Sequence, residues 1–289
     1  MNKKKHIILI PVYNDGKSLN KLLIIINEHI EGLINFDTEI LILDDGSTEK
    51  IILENKKLIN FKKVTILTVK KNIGSQKIIT VGLKYLKDKE KNFFVTVLDS
   101  DGEDNPLEIK KMLNTALEND NYVITSNRKS RQESPLIIAL YFAHLFLTFF
   151  LSFKWISFGN FTSFHSKNIE KIISFGDSWL AYSGSVIKNC KIKRLYAKRE
   201  KRLYGSSKVG IYKLIEHSLR INLVFFNRIL FVIPIYIILI YFIFGINFFS
   251  SLIIFLLFIF KLVLLIIKTK HYRKNFQDFD DLLKDYRSI

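Results

Sequence analysis

The stretch "VTVLDSDGEDNP" (95–106) sets four carboxylates, Asp99, Asp101, Glu103 and Asp104, into six positions of a chain whose formal charge is +17. Like charges at that spacing raise one another's pKa and repel unless something positive lies between them. An Asp-x-Asp pair offers hard oxygen ligands, which suit Mg2+ or Mn2+. Mg2+ commonly takes one or two protein carboxylates and completes its shell with phosphate oxygens and water. The cluster therefore reads as a seat for a divalent cation and a phosphate-bearing ligand. A solvated acidic turn, with Asp104 or Asn105 capping a helix, is the plainer alternative. Basic residues downstream fit the phosphate. Arg128 follows an apolar run, and "KRLYGSSK" (201–208) carries Arg202 and Lys208 around Gly205, Ser206 and Ser207. Small residues let backbone and hydroxyls approach an anion closely, while Arg supplies a fork for phosphate oxygens and Lys a point charge. Lys198, Arg199 and Lys201 read equally well as a solvated charge run.

These residues need elements to position them. Apolar runs at 6–10, 39–43, 64–69, 93–98 and 122–125 have the length and the Ile, Val and Phe content of buried strands. Helix-length stretches at 17–31, 48–58, 75–87 and 106–119 lie between them, the last opening with Pro106 near its first turn. Strands alternating with helices predict parallel βαβ units in an open, doubly wound α/β sheet. Ligands bind such sheets at the carboxyl ends of the strands. The polar segments "PVYND", "DDGST", "DSDGED" and "SNRKSR" fall at four of those ends, so the loops converge on one site.

At 289 residues the chain can bury one good core with an appendage. Apolar residues make up 48% of it and concentrate beyond Ile229. The single cysteine, Cys190, excludes an internal disulfide framework and reads as a buried, inert thiol. The apolar stretch after the basic N-terminus ends at Pro11, too soon for an export signal, so the N-terminus is expected in the cytosol. Strong positive charge points to an anionic partner. No zinc spacing, RNA-binding signature or basic stripe interleaved with aromatics is present. A membrane surface and a phosphate ligand are therefore preferred over nucleic acid.

Segments 229–246 and 248–267 approach the ~20 residues needed to cross ~30 Å of hydrocarbon. Lys261 near the end of the second can snorkel to the interface. Arg220, Arg228, Lys268, Lys270, Arg273 and Lys274 flank the outer ends, and the connector at Asn247 is uncharged. The positive-inside rule then gives a hairpin with both termini cytoplasmic, in a multi-pass protein of the cell inner (cytoplasmic) membrane. Segment 136–153 is equally apolar, but Tyr141, His144, Thr148 and Ser152 form a narrow polar stripe on one helical face. That stripe suits a helix lying in the headgroup boundary. The expected layout is a catalytic domain over 1–210 containing the interface helix, then an amphipathic juxtamembrane helix over 211–228. The hairpin over 229–267 and a cytoplasmic basic tail over 268–289 complete it.

Taken in order, "PVYND", "LDDGST", "NIGSQKIITVGL", "DSDGEDNP", "SNRKSRQES" and "RLYGSSKVGIYKL" resemble family 2 glycosyltransferases. The group most similar is the polyprenyl-phosphate type, which includes dolichol-phosphate mannosyltransferases and undecaprenyl-phosphate sugar transferases. The resemblance runs from about residue 6 to 220. It implies a GT-A fold, an open and mostly parallel sheet flanked by helices, and inverting transfer of a sugar from a UDP- or GDP-linked donor to a polyprenyl phosphate. Pro11, Tyr13 and Asp15 would surround the nucleobase and ribose, Asp44 would read the base, and Asp45 with Gly46 would shape its loop. Asp99, Ser100 and Asp101 would face the diphosphate, with Asp99, Asp101 and Glu103 on Mg2+ or Mn2+. Arg128 would meet donor phosphate, and Arg131, Arg202, Ser206 and Lys208 acceptor phosphate. Asp99, Asp101, Arg128, Arg202 and Lys208 would together carry catalysis. The family usually has Glu where Asp15 stands and Gln where Glu103 stands, which bears on metal preference. The "ED" and "Q-x-x-R-W" motifs of the polysaccharide-making relatives are missing after residue 160. A phosphate acceptor is already anionic at pH 7 and needs no strong general base, whereas a hydroxyl acceptor does. Asp177 in "FGDSW" is the one candidate base if the acceptor is a glycolipid or saccharide hydroxyl. A catalytically silent, membrane-tethered nucleotide-sugar-binding module is the reading from another class, and a homo-oligomer is compatible with the sequence.

Overall fold

The computed structural model describes residues 3–33, 35–54, 58–89, 91–128, 135–205, 210–272 and 282–288. In chain order the first elements are β1 (Lys4–Val12), α1 (Gly16–Ile30), β2 (Phe36–Asp44), β3 (Lys63–Val69), α2 (Ser75–Lys89), β4 (Phe93–Val97), α3 (Glu108–Glu118) and β5 (Tyr122–Arg128). They continue as α4 (Pro135–Ser152), β6 (Phe158–His165), α5 (Ile169–Ile173), α6 (Asp177–Leu180), α7 (Tyr182–Asn189) and β7 (Lys191–Ala197). The last are α8 (Ile211–Val224), α9 (Phe226–Phe244), α10 (Phe248–Tyr272) and β8 (Leu283–Ser288).

The chain divides into two units. The first, residues 1–132, 157–208 and 278–289, is built on an eight-stranded sheet in the order β7-β5-β6-β4-β1-β2-β3-β8. β4, β1, β2 and β3 run parallel, as do β5 and β7. β6 lies antiparallel between β4 and β5, and β8 lies antiparallel on the β3 edge. The sheet is thus the mixed α/β sheet of a GT-A fold. Two successive antiparallel pairings leave β5 pointing the same way as β4, so the ends of β1, β2, β4 and β5 share one edge of the sheet.

Alternation along the strands builds a core on each face. Ile8 and Ile10 join Leu19, Leu22, Leu23 and Ile26 of α1 in one cluster, which extends to Met112 and Leu113 of α3. On the other face α2 comes down at Gly82, where an added Cβ would lie 2.6 Å from a Leu43 methyl and 2.9 Å from one of Leu9. A polar ladder also crosses the sheet. His6 meets Thr96 (2.8 Å) and Thr38 (3.3 Å), and Thr96 meets Ser163 (3.0 Å). Burial holds His6 neutral, with its pKa lowered to about 3.

The helix expected over 48–58 is not formed among the described residues of that stretch. Two asparagines of α1 claim its backbone instead. Asn20 donates to the Ile52 carbonyl (2.8 Å) and accepts from the Glu54 N–H (3.0 Å). Asn27 accepts from the Asn60 N–H (2.9 Å). Ile51, Leu58 and Phe61 are buried in the α1 cluster, so the described residues of the crossover pack against α1. The segment expected as a basic tail ends in β8. Its backbone pairs with the open edge of β3, and Tyr286 lies 6.2 Å from Tyr85 of α2.

The second unit, residues 133–156 and 209–277, holds α4, α8, α9 and α10. Among the described residues three helices, Pro135–Ser152, Phe226–Phe244 and Phe248–Thr269, are long and apolar enough to cross a membrane. Three residues of the α4 polar stripe, His144, Thr148 and Ser152, meet α8 and the first turn of α9. His144 meets Ser218 (2.6 Å), Asn222 donates to Thr148 (3.2 Å), and Arg228 donates to the Ser152 carbonyl. Polar groups inside a largely apolar bundle must find partners, and here the stripe supplies an interhelical seam.

Candidate active site

The chain passes from β1 outward through β2 and β3, then returns through α2 to β4 on the other side of β1. The loops after β1 and β4 diverge at this switch point, where open α/β sheets bind ligands. Asp15 and the Asp99–Asp104 loop occupy it.

What holds four carboxylates together is now visible. Arg202 donates from Nη1 to Asp101 Oδ2 (3.1 Å) and from Nη2 to Asp15 Oδ2, while its Nε donates to the Tyr204 carbonyl (3.0 Å). Arg199 forms an ion pair with Glu103. Asp99 Oδ1 accepts from Asn160 Nδ2 (2.9 Å), and the Asp99 N–H donates to Asp104 Oδ2 (3.3 Å). Backbone bonds strap the basic loop to the acidic one: the Leu203 N–H reaches the Asp101 carbonyl (3.0 Å) and the Glu200 N–H reaches the Glu103 carbonyl (2.9 Å). Gly102, at φ +78°, lets Leu203 lie against the turn. Burial lowers the pKa of Arg199, and the charges of Asp101 and Asp99 oppose that shift.

The β2 end is similarly ordered. Asp44 accepts from the Ser47 N–H (2.9 Å) and from the Thr68 hydroxyl (3.3 Å). Both oxygens of Asp45 are used, accepting from the N–H groups of Ile73 and Gly74 at 2.8 Å each. Burial pushes the Asp45 carboxyl up to about 6 against the pull of those two bonds. Gly46, at φ +69°, passes so close to the backbone of Lys71 and Asn72 that a Cβ would lie within 2.9 Å of it. Asn14 ties the first loop to the second, accepting from the Thr48 N–H (2.9 Å) and donating its own N–H to Ser47 (3.0 Å). Tyr13 stands 41% exposed beside them, and Pro11 is buried in β1.

The edge thus brings together Asp15, Asp99, Asp101, Glu103, Arg199 and Arg202. Ser100 is buried in the same loop. Arg128 closes β5 at this edge, and Arg131, Ser206 and Lys208 lie outside the described residues. Among the described residues no group of three or more His, Cys, Asp or Glu side chains is placed to hold a metal ion, so Glu103, paired with Arg199, is not gathered as a third ligand. Asp99 and Asp101 alone are the number of protein carboxylates that Mg2+ or Mn2+ commonly takes when phosphate oxygens complete its shell, and the pair fits that part. Asp177 is buried and held by Lys188 (2.9 Å) and Asn189 (3.1 Å) at the end of α7, which is a structural pairing.

The sequence left Asn160 and Gln76 without roles. Asn160 is the third residue of β6, and the register that pairs Val97 with Thr162 sets it across from Asp99. Gln76 sat inside a quoted motif, yet only the packing of α2 shows what it touches.

Residues 7–182 match the family model for glycosyl transferase family 2. The chain belongs to this family. Among solved structures it is similar to glucosyl-3-phosphoglycerate synthase from Mycobacterium tuberculosis, crystallised with Mn2+, UDP and phosphoglyceric acid. That match has 14% identity, 78% coverage of each chain and a TM-score of 0.52. The same enzyme with phosphoglyceric acid alone gives 14% identity, 78% and 80% coverage, and 0.51. S. aureus TarS 1–349 gives 16% identity and 0.44; 82% of this chain covers 65% of that one, less than two thirds of its length.

Proposed function

We propose that this glycosyltransferase is metal-dependent and inverting, and that it moves a sugar from a UDP- or GDP-linked donor to a polyprenyl phosphate at the cytoplasmic face of the inner membrane. The observation that carries the reading is the Asp99/Asp101 pair sharing one strand edge with Arg202, in a chain with three helices apolar enough to cross a membrane. A protein of similar fold, crystallised with Mn2+, UDP and phosphoglyceric acid, supports the donor half. Asp99 and Asp101 would hold the divalent ion, which supplies Lewis-acid stabilisation to the departing nucleoside diphosphate. Asp44 and the loop ordered by Asp45 hold the base and ribose beside Pro11, Tyr13 and Asp15. Arg202 orients the incoming phosphate monoester, with Arg128, Arg131, Ser206 and Lys208 as its partners. That oxygen is anionic at neutral pH, so the work of the chain is alignment and charge stabilisation. The pairing of Asp177 with Lys188 and Asn189 supports a phosphate acceptor over a hydroxyl.

Chain connectivity supports the topology. β5 and β6 are hydrogen-bonded neighbours at the two ends of α4. A single crossing by α4 would put them on opposite sides of the bilayer. Residues 153–157, at about 3.5 Å each, cannot return across ~30 Å of hydrocarbon. This supports the reading of α4 as an interface helix. α9 and α10 are joined by Gly245–Asn247, and β8, which follows them in the chain, pairs with β3.

Purified full-length protein incubated with undecaprenyl or dolichyl phosphate and labelled UDP- and GDP-sugars should form a lipid-linked sugar phosphate, identified by mass spectrometry. Asp101→Ala should abolish it. Near-normal transfer by that variant, or transfer only to a glycolipid hydroxyl, would overturn the assignment.

A further inference from the structure

We infer that Asn160 and Gln76 form a positioning relay that fixes the carboxylate of Asp99, an inference that rests on the reading of Asp99 as part of the donor site. The directions of its hydrogen bonds are set by one group that can only donate. The Tyr182 backbone N–H, at the start of α7, meets Gln76 Oε1 at 2.8 Å. The oxygen of the Gln76 amide must therefore face α7, and its Nε2 faces Asn160. That nitrogen only donates, so the atom it meets at 3.0 Å is Asn160 Oδ1. The Nδ2 of Asn160 is thereby turned to Asp99 Oδ1, at 2.9 Å. Neither amide can flip without setting donor against donor or oxygen against oxygen.

Each member sits on a regular element. Gln76 is buried in the first turn of α2, and Asn160 lies near the start of β6, opposite the end of β4 in the antiparallel register. The relay delivers an N–H to one oxygen of Asp99 and so fixes the plane of the carboxylate relative to the sheet. A ligating carboxylate held this way is preorganised, and losing such an outer partner typically costs about 10–100-fold in metal affinity. Asn160 and Gln76 act through Asp99 and touch no reacting atom themselves.

The test uses full-length protein in detergent, with Mn2+ binding in the presence of UDP or GDP read by electron paramagnetic resonance. Metal-free nucleotide binding is measured separately by calorimetry. Asn160→Leu, close in volume and unable to donate, should weaken Mn2+ binding about 10–100-fold and leave metal-free nucleotide binding unchanged. Gln76→Met leaves the Asn160 amide in place but free to turn, so its loss should be several-fold. Because the two residues act in series, the double variant should be no worse than Asn160→Leu alone. Additive losses, or equal losses of metal-free nucleotide binding, would mean a merely structural role and overturn the relay. Asp99→Asn separates the levels. If it loses Mn2+ while Asn160→Leu binds like the parent, the relay is wrong. If Asp99→Asn itself binds Mn2+ normally, the reading of the site is wrong. Should Asn160→Leu not fold, Gln76→Met against the parent decides by the same two measurements.

Discussion

Removing the guanidinium of Arg202 should tighten metal binding while it destroys transfer. Arg202 donates to Asp101 at 3.1 Å, and the two side chains are 19% and 18% exposed. A divalent ion can reach that oxygen only by displacing the guanidinium or sharing it. Hydrogen bonds to charged groups contribute about 1.5–3 kcal/mol, and partial solvent access places this pair at the lower end. Relieving about 1.5 kcal/mol of competition corresponds to roughly tenfold in affinity. Arg202→Ala should therefore bind Mn2+ about tenfold more tightly than the parent without nucleotide, and Arg202→Lys should lie between them. Asp15 keeps its bond from Ser18 (2.6 Å) in the variant, so the β1 loop retains an anchor. Titration of the full chain with Mn2+, followed by electron paramagnetic resonance, measures the effect, and lipid-linked product formation measures the expected loss of turnover. Equal or weaker Mn2+ binding in Arg202→Ala would refute the idea that this arginine competes with a cation for Asp101.

Two further outcomes follow from the same edge. At Gly102 an added Cβ would lie 2.5 Å from Leu203 carbons at φ +78°. Gly102→Ala should cost about 1–3 kcal/mol by overpacking and push the basic loop off the acidic one. Thermal unfolding together with turnover checks it, and a variant normal in both would show that the loop does not depend on that contact. Asp45 titrates near 6 in the folded chain, above its ordinary 3.8, so the native state holds its proton more tightly than the unfolded one. Its contribution to stability is therefore full below pH 3.8 and lost as pH rises through 6. Nucleotide binding should move the opposite way, weakening below pH 6 as a protonated Asp45 gives up one of its two N–H partners. Calorimetry with UDP between pH 5 and 8 in metal-free buffer reads this, and Asp45→Asn should bind more weakly but without the pH dependence.

Strands of the parallel half were legible because each is a short, mostly apolar run rich in Ile, Val and Phe, and the Asp-x-Asp pair because it stands beside other polar loops at the strand ends. The stretch 48–58 was misread because its apolar residues, Ile51 and Leu58 among them, serve a helix and an irregular segment equally well. The choice was made by Asn20 and Asn27, on another element. β8 was hidden for a related reason. Six mostly polar residues make a strand only where an open edge such as that of β3 receives them. The stripe on α4 was found, but its partner on α8 was not, since a helical period shows which residues share a face and not what the face meets.

The site divides along the same line. Asp99 and Asp101 announce themselves by type, whereas Arg199 is one cation in a charged run until the Glu103 contact distinguishes it. Asn160 is further still from view. It faces Asp99 only because β6 enters antiparallel, in the register that pairs Val97 with Thr162; a shift of one residue would turn Asn160 to the opposite face. Charge can be read along a chain, but the orientation of a carboxylate is set by partners that the sheet brings from outside its own motif. The residues that tune Asp99 are therefore the ones least marked as ligands in the sequence, and the relay through Asn160 and Gln76 is where substitutions should alter metal binding while every carboxylate of the acidic loop remains in place.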